Sequence, residues 1–284
     1  MNILMNMSSR LVIALGIAGC VITAGCDLSA GRMIGFGACI SGMLLQRMDY
    51  SGKFFPDMQP LNVFVVALIA MLVCAAFGTV TGFFIAYLNV PPFIATLAMM
   101  EIVYGIGLIV TNATPLGGYV EQYTNVSNGK FLGINYLIWI AIIVAAITWF
   151  IFNMTRHGKY MYAIGGNPQA AEVAGVPVKA TMILIYMKAA AMYGLAGFML
   201  GAKAGGASVQ TGYGYEMEAI AACTIGGVSV TGGRGKVSSA IIGVAVFELL
   251  KVALQYLGMN ANAQYIAIGV VIFIAISLDI RKYI

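Results

Sequence analysis

Val63-Phe64-Val65-Val66-Ala67-Leu68-Ile69-Ala70-Met71-Leu72-Val73-Cys74-Ala75-Ala76 is the stretch on which the fold turns. It carries no charge, and its polar and apolar positions do not alternate. A membrane-crossing β-strand needs about ten alternating residues, so this run reads as helix. It stays apolar to Leu88, which is enough for the roughly 20 residues that cross a hydrocarbon core about 30 Å thick. The remainder of the chain has the same character. Of 284 residues, 61% are hydrophobic and 9% charged, against about 45–50% and 25% in a soluble domain. So few charges cannot wet the surface of a soluble fold this large, which excludes a soluble globular enzyme. The net charge of +5 is spread thinly. No Lys/Arg cluster reaches the density a nucleic-acid partner requires.

Outward from that run, further apolar stretches fall at about 8–26, 28–48, 61–88, 93–111, 134–153, 180–202, 217–231, 237–257 and 262–280. They predict an all-α polytopic transmembrane bundle of about nine spans, one domain over residues 1–284. Gly, Pro and Asn punctuate the breaks, as at Asn89-Val90-Pro91-Pro92. Two spans are irregular. The first runs into the second through Cys26-Asp27-Leu28-Ser29-Ala30-Gly31-Arg32 with almost no loop, and 217–231 is short and ends in Gly-rich sequence. Short, Gly-interrupted spans point to broken helices beside a transport path.

The positive-inside rule places the segment 154–178 in the cytoplasm, with Arg156, Lys159 and the neighbouring Lys179. Alternation then puts Arg32, Arg234, Lys236, Arg281 and Lys282 inside, and Arg10, Arg47, Lys53, Lys130 and Lys203 outside. The C-terminus is cytoplasmic and residue 1 lies outside. Cys20, Cys26, Cys39, Cys74 and Cys223 all sit in apolar sequence without paired spacing, so they read as buried small hydrophobes and not as a metal site.

The chain echoes itself. Residues 24–32 and 226–234 align at constant offset, Gly25, Gly31 and Arg32 matching Gly227, Gly233 and Arg234, and Ser29 meeting Thr231. An internal pseudo-repeat explains this, as does the general likeness of small-residue membrane helices. Gly232-Gly233-Arg234-Gly235-Lys236 is not a phosphate loop, because Val stands at 230 and at 237 where the motif needs Gly and Ser/Thr. The chain therefore shows no nucleotide site and no cofactor of its own. Cys20 follows Ile17-Ala18-Gly19 in the manner of a lipoprotein signal, yet cleavage there would leave eight spans, which suits no lipoprotein.

Charges inside spans are costly and so are candidates for function. Glu101 lies mid-span and would suit a proton-coupled carrier. Glu248 and Lys251 stand three apart on one helix face and could neutralise each other, and Lys188 could snorkel. His157 reads as a solvated loop residue. No catalytic set and no metal set can be assembled. Gly165-Gly166-Asn167-Pro168 starts a short helix in the 154–178 loop, with Asn167 as N-cap, Pro168 at the first position and Gly175 as stop. Its Ala-rich face could enter a groove on another protein.

Three stretches, 25–31, 163–176 and 221–233, together resemble the membrane subunits of bacterial ABC sugar importers, the family of the ribose and galactose systems. Leu45-Gln46-Arg47-Met48-Asp49 with Phe55-Pro56-Asp57-Met58 is most similar to the galactose/methyl-galactoside branch. The resemblance implies a multi-pass permease of the bacterial inner membrane that translocates a monosaccharide from periplasm to cytoplasm. It would pair with a second copy, be driven by cytoplasmic ATPase subunits that hold the ATP, and receive sugar from a periplasmic binding protein. The 154–178 loop matches the coupling position, with Gly165, Asn167, Ala170, Ala171, Glu172 and Gly175 as ATPase contacts. Asp27, Ser29, Gly31, Glu101, Gly226, Gly227, Ser229, Gly232 and Gly233 are candidates for structural turns and the translocation path. Asp27 is expected to be structural, its carboxylate satisfied by Ser29. Family members usually begin with a further apolar helix, which would make ten spans with both ends inside. The rival readings are an ion-coupled secondary sugar carrier built on Glu101, and a channel or structural membrane protein.

Overall fold

The computed structural model describes residues 2–281. Twelve helices follow one another: α1 Asn2–Ile22, α2 Ala30–Leu44, α3 Val63–Tyr87, α4 Pro92–Thr111, α5 Glu121–Asn128, α6 Tyr136–Met154, α7 Arg156–Gly166, α8 Pro168–Val173, α9 Val178–Ala204, α10 Tyr215–Gly226, α11 Val237–Tyr256 and α12 Ala261–Arg281. A small antiparallel hairpin, β1 Lys130–Phe131 and β2 Ile134–Asn135, sits between α5 and α6. Local chemistry sets the helix ends. The side chains of Asn62 and Asn135 accept from the backbone N–H groups of Phe64 and Leu137 at 2.9 Å, capping α3 and α6. Pro92 opens α4, and Asn112 in left-handed conformation closes it.

Among the described residues, six helices are long and apolar enough to cross a membrane: Ile3–Ile22, Val63–Tyr87, Pro92–Thr111, Tyr136–Met154, Val178–Ala204 and Val237–Tyr256. The expectation of about nine spans, or ten, is therefore corrected. The run 28–48 yields α2, 15 residues long, because the chain leaves the helix at Leu45 and Gln46 forms a β-bridge with Tyr119. The run 217–231 yields α10, 12 residues long, stopped where Gly227 takes a φ of +99°. The run 262–280 lies in α12, of which the apolar stretch Asn262–Ile274 is the part counted among the described residues, short of a full crossing. In the first two cases apolar composition continues through the turn, so the runs 28–48 and 217–231 overstated their helices.

The core lies around α1 and α9. Val12, Ile13, Ala14 and Ile17 of α1 are fully buried, as are Tyr186, Tyr193 and Met199 of α9. Small residues let the helices close up: a methyl on Gly37 would stand 2.9 Å from the backbone of Gly194. The outer helices turn large apolar side chains outward, among them Phe64, Leu72 and Phe150. That surface is wet by lipid and not by water.

The loops gather at two ends. At one, Leu116 bridges Ala207, and Arg47 and Val120 donate backbone bonds to Gly118 and Leu45 at 2.8 and 2.9 Å. At the other, the end of α1, the end of α7 and the turn 227–236 come together. The 27-residue α9 joins the two ends, about 40 Å apart along its axis.

Candidate functional site

Two of the short helices have their N-termini inside the bundle. α2 is about 22 Å long and α10 about 18 Å, both short of the core thickness. The C-terminus of α2 lies at the Leu116 end, and that of α10 at the opposite end. Their starts meet in between, where a methyl on Gly31 would overlap the Glu216 carboxylate. The chain reaches these starts through two irregular stretches, 23–29 and 205–214.

The first stretch is held by Asp27, buried at 2% exposure. Its Oδ1 accepts from the Ser29 N–H at 3.0 Å and the Ser29 hydroxyl at 2.6 Å, and its Oδ2 accepts from the Tyr193 hydroxyl at 3.2 Å. Thr96 donates to the Cys26 carbonyl at 3.2 Å. Asp27 thus ties the break between α1 and α2 to the core helix α9, and Ser29 and Gly31 are buried beside it.

The second stretch positions residues that sequence reasoning missed. Arg32 stands over the ring of Tyr104 at 4.0 Å and that of Tyr213 at 4.4 Å. It donates to the Gln210 side chain at 2.8 Å. Arg32 had been placed at the cytoplasmic end by alternation. Tyr104 lies in the middle of α4, so Arg32 lies within the depth of the span. The signal that could have found it was the pair of tyrosines in Gly212-Tyr213-Gly214-Tyr215, polar rings in a stretch too Gly-rich for helix.

Four intramembrane charges form one network. Arg10 pairs with Glu248 and, at 3.8 Å, with Glu218; Lys251 pairs with Glu218. Glu248 and Lys251 do not satisfy each other, as their spacing had implied. Each has found a partner on another helix, and the set is neutral. Glu101 is exposed on α4 and makes no ion pair or hydrogen bond among the described residues.

The coupling candidates divide by exposure. Asn167 accepts from the Ala170 N–H at 2.9 Å and caps α8, with Pro168 at its first position. Ala170, Glu172 and Gly175 are exposed, and Val173 is 91% exposed. Ala171 turns inward at 4% exposure, so it braces the loop from beneath. His157 is half-buried, and burial together with the charge of Lys188 pushes it down to about 4. It is not the solvated loop residue its position suggested.

Gly165 ends α7 against the rest of the fold. A methyl there would overlap the Ile22 carbonyl and reach 2.5 Å from the Gly233 nitrogen. Gly233 donates its N–H to Ile22 O at 2.8 Å, and the Tyr162 hydroxyl donates to Gly235 O at 2.8 Å. Gly232 and Gly233 both need positive φ, +88° and +70°. The two echoing segments touch each other where Gly232 packs on Ala24, and the candidate coupling loop touches the second of them and the end of α1. Gly226 packs on Ser239 and Gly243 of α11, Gly227 forms the bend, and Ser229 is buried and bonds to Thr231 at 2.9 Å. Among the described residues, no group of three or more His, Cys, Asp or Glu could hold a metal ion.

Residues 1–276 match the family described as branched-chain amino acid transport system / permease component, and the chain belongs to that family. It is a multi-pass membrane transport subunit of an ABC importer, as the resemblance had implied, and not an enzyme; a partner ATPase and a substrate-binding protein complete such a system. Among its relatives, the galactose/methyl galactoside import permease protein of Escherichia coli (strain K12) is 42% identical, aligned over 99% of this chain and 86% of that protein. The corresponding protein of Treponema pallidum (strain Nichols) is 37% identical over 100% of this chain and 56% of its own length. The ribose import permease protein of Escherichia coli (strain K12) is 32% identical over 99% and 85%. No solved structure matches the chain.

Proposed function

We propose that this chain is the membrane permease of a bacterial ABC importer for a monosaccharide, galactose or methyl galactoside, working as a pair of identical subunits. One observation carries the reading: 42% identity to the galactose/methyl galactoside import permease, spread over 99% of the chain. The ATP stays on the partner ATPase, and the 154–178 end and the C-terminus face the cytoplasm. The basic residues support that orientation. Arg156, Lys159, Lys179, Arg234 and Lys236 lie toward one end, while Lys282 lies outside the described residues.

In this reading α8 is the contact with the ATPase. Its exposed Ala170 and Val173 offer small apolar surface, which a protein groove accepts without leaving a charge unpaired. ATP-driven closure of the ATPases displaces α8 and, with it, α7. Gly165 has no free space against Ile22 and Gly233, so the displacement passes to the end of α1 and to the turn before α11. From the first of these points hang the irregular stretch 23–29 and α2, and on the second ends the half-length helix α10. The movement thereby selects between two arrangements of the path. An ion-coupled carrier would need Glu101 tied to a moving element, and its exposed, unpaired carboxylate gives that reading no support.

The test is complementation. In a strain lacking its own galactose permeases, the chain expressed with its ATPase and binding protein should restore uptake of labelled galactose. Membrane-inserted protein that restores no galactose uptake would contradict the substrate assignment.

A further inference from the structure

We propose that Arg32, Tyr104, Gln210 and Tyr213 form a sugar-contacting station on the translocation path, a site for one neutral polyhydroxylated ring. The proposal rests on the reading of the chain as a sugar import permease. It gives that permease a substrate contact of its own, apart from the binding protein.

The station is organised before any ligand arrives. The Arg32 guanidinium lies between the rings of Tyr104 and Tyr213, at 4.0 and 4.4 Å. Its Nη1 donates to Gln210 Oε1 at 2.8 Å and to the Val209 carbonyl at 3.5 Å. Gln210 Nε2 in turn donates to the Tyr104 hydroxyl at 3.1 Å. Each polar group orients the next, so little side-chain freedom remains to be lost when a ligand binds.

Its place is inside the span and its face is open. Tyr104 is about 18 Å along α4 from Pro92. Gln210 is exposed and Tyr213 is 60% exposed. Glu101 and Gly105 share the face of α4 that carries Tyr104, and no atom stands within 4 Å of a methyl built on Gly105. A guanidinium, an amide and a carboxylate on one side of a membrane helix are not stable against hydrocarbon. This face meets water, and in a pair of subunits that means a path between them.

Bonding capacity is also left unused. Arg32 Nε is buried without a partner, and so is Oε2 of Glu216, whose residue is only 5% exposed. A donor and an acceptor are thus already stripped of water, the donor between the two rings and the acceptor against Gly31, the residue next to Arg32. Hydroxyl groups serve both, since each can donate and accept. The apolar C–H face of a pyranose stacks on a tyrosine ring, as apolar surfaces stack on aromatic faces generally. A branched-chain amino acid would instead need an aliphatic slot, which these four side chains do not make.

Tyr213 permits a clean test because its exposure frees it from a packing role. The full chain is expressed with its ATPase and binding protein, and uptake of labelled D-galactose is measured. Tyr213→Leu should reach the membrane and retain the ATPase as wild type does, yet lose about tenfold in uptake rate, the scale of one lost stacking contact. Tyr213→Phe keeps the ring and should transport like wild type. In a Tyr213→Cys variant, a membrane-impermeant maleimide should label the new thiol above the wild-type background, and galactose supplied during turnover should slow the labelling. Wild-type uptake by Tyr213→Leu, equal losses in the Leu and Phe variants, or a thiol never labelled would each overturn the station while leaving the permease reading intact. Failure of the wild-type complex to take up galactose would instead remove the reading beneath it.

Discussion

Asp27 shows how one residue holds a break open inside a membrane. Its two oxygens use three donors, from Ser29 twice and from Tyr193 once. Removing the carboxylate strands the Tyr193 hydroxyl and the Ser29 N–H in a dry core. Each stranded group costs about 1–3 kcal/mol. Asp27→Ala should therefore lower the yield and melting temperature of the detergent-purified permease, leaving the sugar dependence of surviving transport unchanged. A stable variant with a selectively altered sugar dependence would instead place Asp27 in the binding site. His157 gives a prediction in pH. Burial and Lys188 lower it from its ordinary 6.5 to about 4, so the folded state keeps it neutral while the unfolded chain takes up a proton. Its contribution to stability is complete above pH 6.5 and is lost as pH falls from 6.5 towards 4. Melting temperature of the wild type should fall more steeply across that window than that of His157→Gln. Parallel profiles for the two would show that His157 does not carry the slope.

At the level of elements, α8 and the half-helices explain what was visible in advance and what was not. Cap and stop residues around α8 were legible because Asn167, Pro168 and Gly175 act through local backbone chemistry. Which side of α8 faces out was not, since Ala170 and Ala171 are chemically alike and only tertiary packing separates them. That difference decides the test of coupling. Ala171→Arg would force a charge into the chain's own interior, and Gly175 holds a φ of +83° that a side chain resists. Val173 has neither problem. Val173→Arg should leave membrane level and melting temperature at wild type, yet abolish co-purification of the ATPase and uptake together. Retention of both would remove α8 from the interface. The spans tell a similar story. α3, α4 and α6 were legible because capping or helix-starting residues flank uniform apolar runs. α2 and α10 were overextended, because a buried irregular segment in a membrane protein is as apolar as a helix. Arg32 was misplaced for the same reason, as alternation counts only complete crossings.

On the scale of the whole molecule, one glycine-lined junction joins α7 and α8, the proposed handle, to the interior break after α1. Gly165 and Gly233 pack there against the carbonyl that ends α1. The station around Arg32 lies on the far side of the same two breaks. In the proposed reading, such a layout gives work from a partner ATPase a mechanical route to the path. The most direct measurement of that claim is the energy source of uptake. Cells expressing the permease with its ATPase and binding protein are given labelled galactose, once with a protonophore while ATP is maintained and once with ATP depleted. Uptake should survive the protonophore and stop when ATP is depleted; uptake that stops with the protonophore while ATP remains high would contradict the account.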